Sequence, residues 1–477
     1  MANEKTPPDV SRRQFVGTVA ATAAGLTIVP RHVLGGTGFQ APSDKVNVAV
    51  VGYAHGMGTS NLKNVIKTDN IVALCDVDES QAAKEARVRS KTTPADFPKP
   101  PAEYKDFRVM LEKQKDIDAV VVATPDHMHA IVAMHAMALG KHVYVQKPMT
   151  RTIGEARALT EAARKYKVVT QMGNQGHSEE GLRLMQEWFA AGAIGEVREV
   201  HAWTNRPIWP QGMPRPTEEQ AVPDGMDWKL WLGGAPDRPF HKTYHPSFWR
   251  AWQDFGAGAM GDMACHVMDA SYTVLKLGAP TSIIATSGAI VQAPPPGQRG
   301  WGIRVKYDDS YPPSSLIHLS YPQRGDLPPV KVHWYDGGLL PERPDELEPG
   351  RKMPESGTIF VGSKGKMWCE TYNESPRLFP ETAMQAFTRP AKTLPRVPEG
   401  RPGHEKNWLD AIRNKGQAVS NFDYAGPFTE SVLLGNVALR FPGERLDWDA
   451  AAMKVTNKPE ADQFIQPTYK AGWSLGS

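Results

Sequence analysis

Cysteine is scarce: Cys75, Cys265 and Cys369 are the only three in 477 residues, and they lie far apart. An odd count without C-x-x-C spacing excludes a disulfide framework and a cysteine-rich zinc site. It suits a chain that folds in a reducing compartment. An excess of charge of one sign is also missing, with 55 Lys and Arg against 52 Asp and Glu. That balance argues against a nucleic-acid stripe and against a polybasic membrane patch. Beyond Val29 no apolar run is long enough to span a bilayer. No internal repeat is visible. The length allows two or three domains and a sizeable core.

The apolar run that does stand out is near the start. "SRRQFVGTVAATAAGLTIV", Ser11 to Val29, follows a polar beginning and carries twin arginines Arg12 and Arg13. It is too short and too rich in Ala, Gly and Thr to cross a membrane comfortably. The pattern predicts a twin-arginine (Tat) export signal, so residues 1–43 are read as signal peptide and linker, with the Tat machinery as a partner. The expected location is periplasmic or otherwise outside the cytoplasm. A small-x-small cleavage site is not distinct: cleavage falls between Leu34 and Ala41, or the segment stays as an anchor. The competing reading is a disordered basic N-terminus beside a chance apolar stretch.

From Lys45 to Met172 short apolar runs alternate with helical segments. "VNVAVVG", "IVALCDV", "IDAVVVAT", "KHVYVQKP" and "VVTQMGNQ" read as buried strands. "HAIVAMHAMALG" and "TIGEARALTEAARKYK" read as helices, the first closed by Gly140. This alternation predicts a parallel, doubly wound α/β sheet. After Gly173 the texture changes. "SIIATSGAIVQA", "WGIRVKYD", "SSLIHLSYP", "VKVHWYDGG" and "GTIFVGSKGKMWCETY" read as antiparallel strands. Late helices are expected at "HEKNWLDAIRN" and "FTESVLLGNVALR".

The glycine turn "VGYAHGMG" follows the first strand and precedes a helix, where backbone amides can hold a pyrophosphate. Its glycines are Gly52, Gly56 and Gly58, so the spacing departs from G-x-G-x-x-G. Asp76 ends the second strand, about twenty residues further on, where a carboxylate can bind both ribose hydroxyls of an adenosine. A carboxylate there would repel a ribose phosphate, which favours NAD over NADP. The alternative for Asp76 is a turn or helix-capping role. "ATPDHMHA" and "VYVQKPMT" end the next two strands, on the side where doubly wound sheets bind ligands. Thr124, Pro125, His127 and Lys147 are therefore cofactor-site candidates.

"GAMGDMACHVMD" sets Asp262 and His266 four apart, on one helix face. His266 can accept the proton of a substrate hydroxyl, Asp262 can orient its ring or hold substrate, and Lys147 can stabilise a developing alkoxide. A satisfied core histidine is the plainer account of His266. A metal trio of Asp262, His266 and Asp269 is a third, though no HExxH or second histidine cluster supports it, so no metal site is assigned. "GNQGHS" offers Asn174, Gln175 and His177 as substrate-binding candidates, against a simple turn. Six tryptophans lie between Trp203 and Trp252. They can present aromatic faces to a sugar ring or, more plainly, pack in the interior.

Taken in order, the glycine loop, "TPDHMH", "GKHVYVQKP", "GNQGHS" and "GAMGDMACHVMD" resemble the Gfo/Idh/MocA family of sugar and cyclitol oxidoreductases, and more narrowly its bacterial Tat-exported branch. The resemblance runs through "GTIFVGSKGKMWCETY" and "SNFDYAGPFTESVLLGNVALR". It implies an NAD-binding Rossmann domain over residues 44–172. Residues 173–477 would then form an α/β substrate domain on an open, mostly antiparallel sheet, one face of which is buried in a homodimer or homotetramer. It assigns Lys147, Asp262 and His266 as the catalytic set. The family's Glu-Lys-Pro reads Gln146-Lys147-Pro148 here. The implied activity is NAD-dependent oxidation of a secondary hydroxyl of a sugar, glycoside or cyclitol. The alternatives are glycoside cleavage through transient oxidation and elimination, or a non-catalytic dinucleotide- or sugar-binding protein. Export and a soluble cofactor are reconciled if NAD stays bound and is recycled in place.

Overall fold

The computed structural model describes residues 44–305 and 308–476. The export-signal motif around Arg12 and Arg13 lies outside the described residues.

Six strands make the first sheet: β1 (Asn47–Val51), β2 (Asn70–Cys75), β3 (Ala102–Tyr104), β4 (Ala119–Val122), β5 (His142–Val145) and β6 (Thr170–Met172). All pairs are parallel, in the order β3-β2-β1-β4-β5-β6. Buried on both faces, β1 and β4 are runs of Val and Ala, as a parallel sheet covered by helices requires. The order reverses between β1 and β4, so a crevice opens at their carboxyl ends. Five of the six strands coincide with the apolar runs. β3 is three residues of mixed polarity, "AEY", behind a proline cluster, and carries no apolar signal.

The second sheet has nine strands. They are β7 (Val197–Trp203), β8 (Ser282–Ser287), β11 (Ser315–Tyr321), β12 (Val330–Tyr335), β13 (Gly357–Gly362), β14 (Gly365–Cys369), β15 (Arg377–Phe379), β16 (Arg445–Asp449) and β17 (Lys454–Val455). Their order is β15-β14-β13-β7-β12-β11-β8-β16-β17. β7 and β12 run parallel, and the other pairings are antiparallel. β9 (Ile290–Gln292) and β10 (Ile303–Val305) pair with each other, apart from this sheet. The single run "SIIATSGAIVQA" is thus two strands, broken at Gly288.

Helices Gly258–Val267 and Phe422–Ala438 pack on one face of the larger sheet, and the second also packs on helix Ile153–Tyr166 of the first sheet. The contact is close: a Cβ on Gly426 would collide with the Thr160 hydroxyl. Arg157 clamps buried Glu430 across it with two bonds of 2.7 and 2.8 Å. The helix begins at Phe422, upstream of the expected start. Asn421 caps it by accepting from Asp423 N at 2.9 Å, so Pro427 falls inside the helix. Among the described residues no helix is long and apolar enough to cross a membrane.

Candidate functional site

The crevice at the carboxyl ends of β1, β2, β4 and β5 is a cleft of about 1090 Å³, closed on its far side by residues of the 230–250 segment. The respaced glycine loop forms one wall. Gly52 has φ +85°, and a Cβ there would stand 2.7 Å from Ala123 C and Thr124 N. Gly56 has φ +66° and opens helix Met57–Val65. A Cβ on Gly58 would strike the Gly52 carbonyl. Each glycine therefore meets one demand of a dinucleotide turn: a positive φ, a close approach, or tight helix packing.

Gly52, Gly56, Asp76, Thr124, Pro125 and Lys147 come together on the cleft wall. The Asp76 carboxylate accepts from Ala54 N at 2.7 Å and from Asp78 N at 3.0 Å, so it also shapes the glycine loop. Burial raises its pKa, although those two amides oppose the shift. The Thr124 hydroxyl is buried with no hydrogen-bond partner. A glycine cradle, a carboxylate ending β2 and an unpartnered hydroxyl on the wall fit a dinucleotide.

His127 is placed differently. Its ring sits between the carbonyls of Trp231, at 2.9 Å, and Phe255, at 3.3 Å, and does not line the cleft. Burial lowers its pKa to about 3. The neighbouring His129 lines the cleft instead and bridges the Thr124 and Pro148 carbonyls, 2.9 Å from each, tying the ends of β4 and β5 together.

Lys147 projects from the end of β5. Its Nζ donates to Asp262 Oδ1 at 2.8 Å and to the Asp262 carbonyl at 2.7 Å. Arg250 Nε reaches the same carboxylate oxygen at 3.3 Å, and its guanidinium stacks 4.1 Å from the Trp249 ring centre. Burial pushes Asp262 up, but Lys147 and Arg250 outweigh it and hold the carboxyl at about 2. One helical turn on, His266 is buried edge-on to Tyr372, and its Nδ1 has no hydrogen-bond partner. Burial, reinforced by the Lys147 cation, lowers its pKa to about 3. Its ring is therefore neutral at physiological pH, and neither it nor Asp262 is among the residues that line the cleft, which Lys147 and Arg250 do.

Two residues on this wall carried no assignment from the sequence. Arg250 lies in the single 3-10 turn Phe248–Ala251, which carries no motif. Asp126, inside "TPDHMH", lines the cleft and accepts from Ala257 N at 3.0 Å. Burial raises its carboxyl to about 7 against the pull of Arg250.

The "GNQGHS" residues turn toward another group. Asn174 donates to Asp269 Oδ1 at 3.1 Å, and His177 Nδ1 lies 2.9 Å from the same oxygen. Tyr424 and Asn373 complete the set at 2.5 and 2.7 Å. A buried carboxylate needs such donors, so Asn174 and His177 are engaged with it rather than lining the cleft. Gln175 lies 3.5 Å from the Tyr144 hydroxyl and is also off the cleft wall. The proposed trio of Asp262, His266 and Asp269 does not converge on one point. Asp262 faces two cations, while Asp269 is enclosed by its own donors. Five of the six tryptophans are buried, Trp209 partly so, and Trp231 and Trp249 also line the cleft.

The family profile described as "Oxidoreductase family, NAD-binding Rossmann fold" matches residues 46–174, and that described as "Oxidoreductase family, C-terminal alpha/beta domain" matches residues 198–309. The chain belongs to the Gfo/Idh/MocA oxidoreductase family. Its N-terminal part is the family's NAD-binding domain. A levoglucosan dehydrogenase of Pseudarthrobacter phenanthrenivorans is 28% identical over 182 residues, which cover 38% of this chain and 39% of that protein. A glycosyl hydrolase family 109 protein of Akkermansia muciniphila is 35% identical over 150 residues, 30% of each chain. These matches span less than half of either relative. The WlbA dehydrogenase of Bordetella pertussis, solved with NADH and UDP-GlcNAcA, shares the fold with a TM-score of 0.55 at 16% identity, over 85% of this chain and 99% of that one. A levoglucosan dehydrogenase solved with NADH gives a TM-score of 0.53 at 16% identity, over 84% of this chain and 99% of that one.

Proposed function

We propose that this protein is an NAD-dependent oxidoreductase acting on a secondary hydroxyl of a sugar, glycoside or cyclitol. The observation that carries the reading is the placement of Lys147, held by Asp262 on the cleft wall, one helical turn from a neutral His266 whose Nδ1 is unpartnered. A bound NAD would supply the hydride acceptor for the carbon that bears the hydroxyl. Lys147 donates a hydrogen bond to the substrate oxygen and stabilises its developing negative charge. His266 accepts the hydroxyl proton. Asp262 and Arg250 fix the position of the Lys147 ammonium. Asn174 and His177 act through Asp269, which opens the short helix Asp269–Val274 directly after the helix that carries His266, rather than touching sugar.

Membership of the family and the similarity to a levoglucosan dehydrogenase support this reading. Similarity to glycosyl hydrolase family 109 proteins favours a second one: oxidation, elimination and re-reduction of the same substrate, with net glycoside cleavage. We further propose that the chain is a Tat-exported protein that works outside the cytoplasm with firmly held, internally recycled NAD, and that it assembles as a homodimer or homotetramer. The NAD-loaded protein is to be mixed with a panel of sugars, cyclitols and glycosides while reduced-nicotinamide absorbance and product masses are followed. The proposal expects absorbance, or a cleaved glycoside, with at least one member. Binding without either outcome would make this a non-catalytic sugar-binding protein.

A further inference from the structure

At the edge of the dinucleotide cleft three side chains from three separate segments converge. His55 comes from the glycine loop, Asp78 from just beyond β2, and His245 from the segment that precedes Trp249. His55 Nε2 and His245 Nε2 lie 3.0 and 2.7 Å from the same oxygen, Asp78 Oδ2. The three ligand atoms all lie within 4.8 Å of one another, and no other group of three or more His, Cys, Asp or Glu among the described residues converges so closely. We propose that His55, Asp78 and His245 form a binding site for a divalent metal of the zinc class, in which the glycine loop is tied to the C-terminal part of the chain.

The donor set is the first argument. Two imidazoles and one carboxylate are a zinc ligand set, with a fourth position left to water. The second argument is orientation. Asp78 Oδ1 already accepts from Ser80 N at 2.9 Å, which turns Oδ2 toward both rings. Ligating carboxylates are fixed by such outer hydrogen bonds. Exposure is the third. The Asp78 side chain is 3% exposed and that of His245 12%, while that of His55 is 27% exposed and leaves a way in for an ion. The surroundings are braced independently: Glu79 N donates to Gly225 O at 3.2 Å and Asp227 N to Val77 O at 2.9 Å, so the site is preformed by the fold. His245 also packs edge-on against Trp231, and the two histidine rings meet edge to face at 5.3 Å. The reading rests on these contacts and not on the proposed reaction, so either can fail alone.

The test uses the full folded chain after treatment with a chelator. Zn²⁺ is titrated against a chromophoric chelator, and Co²⁺ is added to a second sample for its visible spectrum. The wild type is expected to take up one Zn²⁺ per chain, with a rise in melting temperature, because the site exists only in the folded state. Co²⁺ should give the intense bands of a four-coordinate site. His55→Gln and His245→Gln should each weaken Zn²⁺ by at least about tenfold and abolish the melting shift. The Co²⁺ spectrum needs no variant, so it decides the matter even if a substituted chain fails to fold. No uptake by the wild type, a weak six-coordinate cobalt spectrum, or equal uptake by the glutamine variants would overturn the proposal and leave a hydrogen-bonded clasp.

Discussion

Single carboxylates in and beside this cleft are set apart by their neighbours. Asp262 faces two cations and stays ionised, whereas Asp126, equally buried, is pushed up to about 7. The sign of its linkage follows. A carboxyl whose pKa is higher folded than unfolded favours the native state while it is protonated, and that contribution fades as pH rises through the folded value. Asp126→Asn keeps an oxygen for Ala257 N and cannot ionise. Its urea midpoint should therefore gain on the wild type as pH rises from about 4 to about 8. A constant difference across that range would show that Asp126 is ionised throughout. Asp76 belongs to the same scale. Motivated by its place at the end of β2, Asp76→Ala should weaken NAD by about 1.5–3 kcal/mol, through the lost acceptor and the loosened Ala54 amide. Titration calorimetry that finds unchanged affinity would reject that role. These residues differ in how legible they were. Lys147, Asp262 and His266 stand in compact motifs at strand and helix positions that a doubly wound sheet makes functional. Arg250 carries no local pattern, and its carboxylate partner Asp262 stands on a different element. For Asn174 and His177 the local sequence offers sugar binding or a simple turn, and nothing in it announces Asp269 as their partner.

Elements show the same division between local and distant causes. Apolar runs mark β1, β2, β4, β5 and β6 because each is buried from both sides. β3, β15 and β17 are two or three residues long and exist through pairing with a neighbour, which no local run can signal. Gln146, where the family motif has glutamate, has a spatial reason as well. Its amide donates to Asn61 Oδ1 at 2.7 Å, and Asn61 donates to Glu405 at 2.7 Å. A glutamate would set a second buried carboxylate close to Glu405, whose pKa burial already raises. The junction of helices Ile153–Tyr166 and Phe422–Ala438 offers a sharper check, since Gly426 has no room for a methyl group beside Thr160. Gly426→Ala should destabilise the chain by about 1–3 kcal/mol, and Thr160→Ala in the same chain should restore part of the loss. A denaturation midpoint unchanged by Gly426→Ala would mean that the two helices part easily.

For the whole molecule, the two-sheet architecture was legible because the change from βα alternation to hairpin-spaced strands is a long-range pattern, insensitive to errors at element ends. The proposed export and the proposed cofactor retention make one joint claim at this scale. A folded protein carried out of the cytoplasm keeps NAD only if dissociation is slow. Exported protein should hold NAD through desalting, with a dissociation constant of about micromolar or tighter, which is about 8 kcal/mol of binding. Arg12→Lys with Arg13→Lys should leave folded, NAD-loaded protein in the cytoplasm. Exported material that is empty yet active on added NAD would separate export from retention.

Lys147 and His266 are proposed to act together on a hydroxyl beside NAD. The most direct measurement is a single-turnover rate for reduction of NAD bound to the protein, after mixing with a sugar or cyclitol substrate, in the wild type, Lys147→Ala and His266→Ala. Reduced-nicotinamide absorbance should rise in the wild type. The rate should fall by about a hundredfold or more in each variant, with NAD affinity nearly unchanged in His266→Ala. Reduction at the wild-type rate in His266→Ala would contradict it.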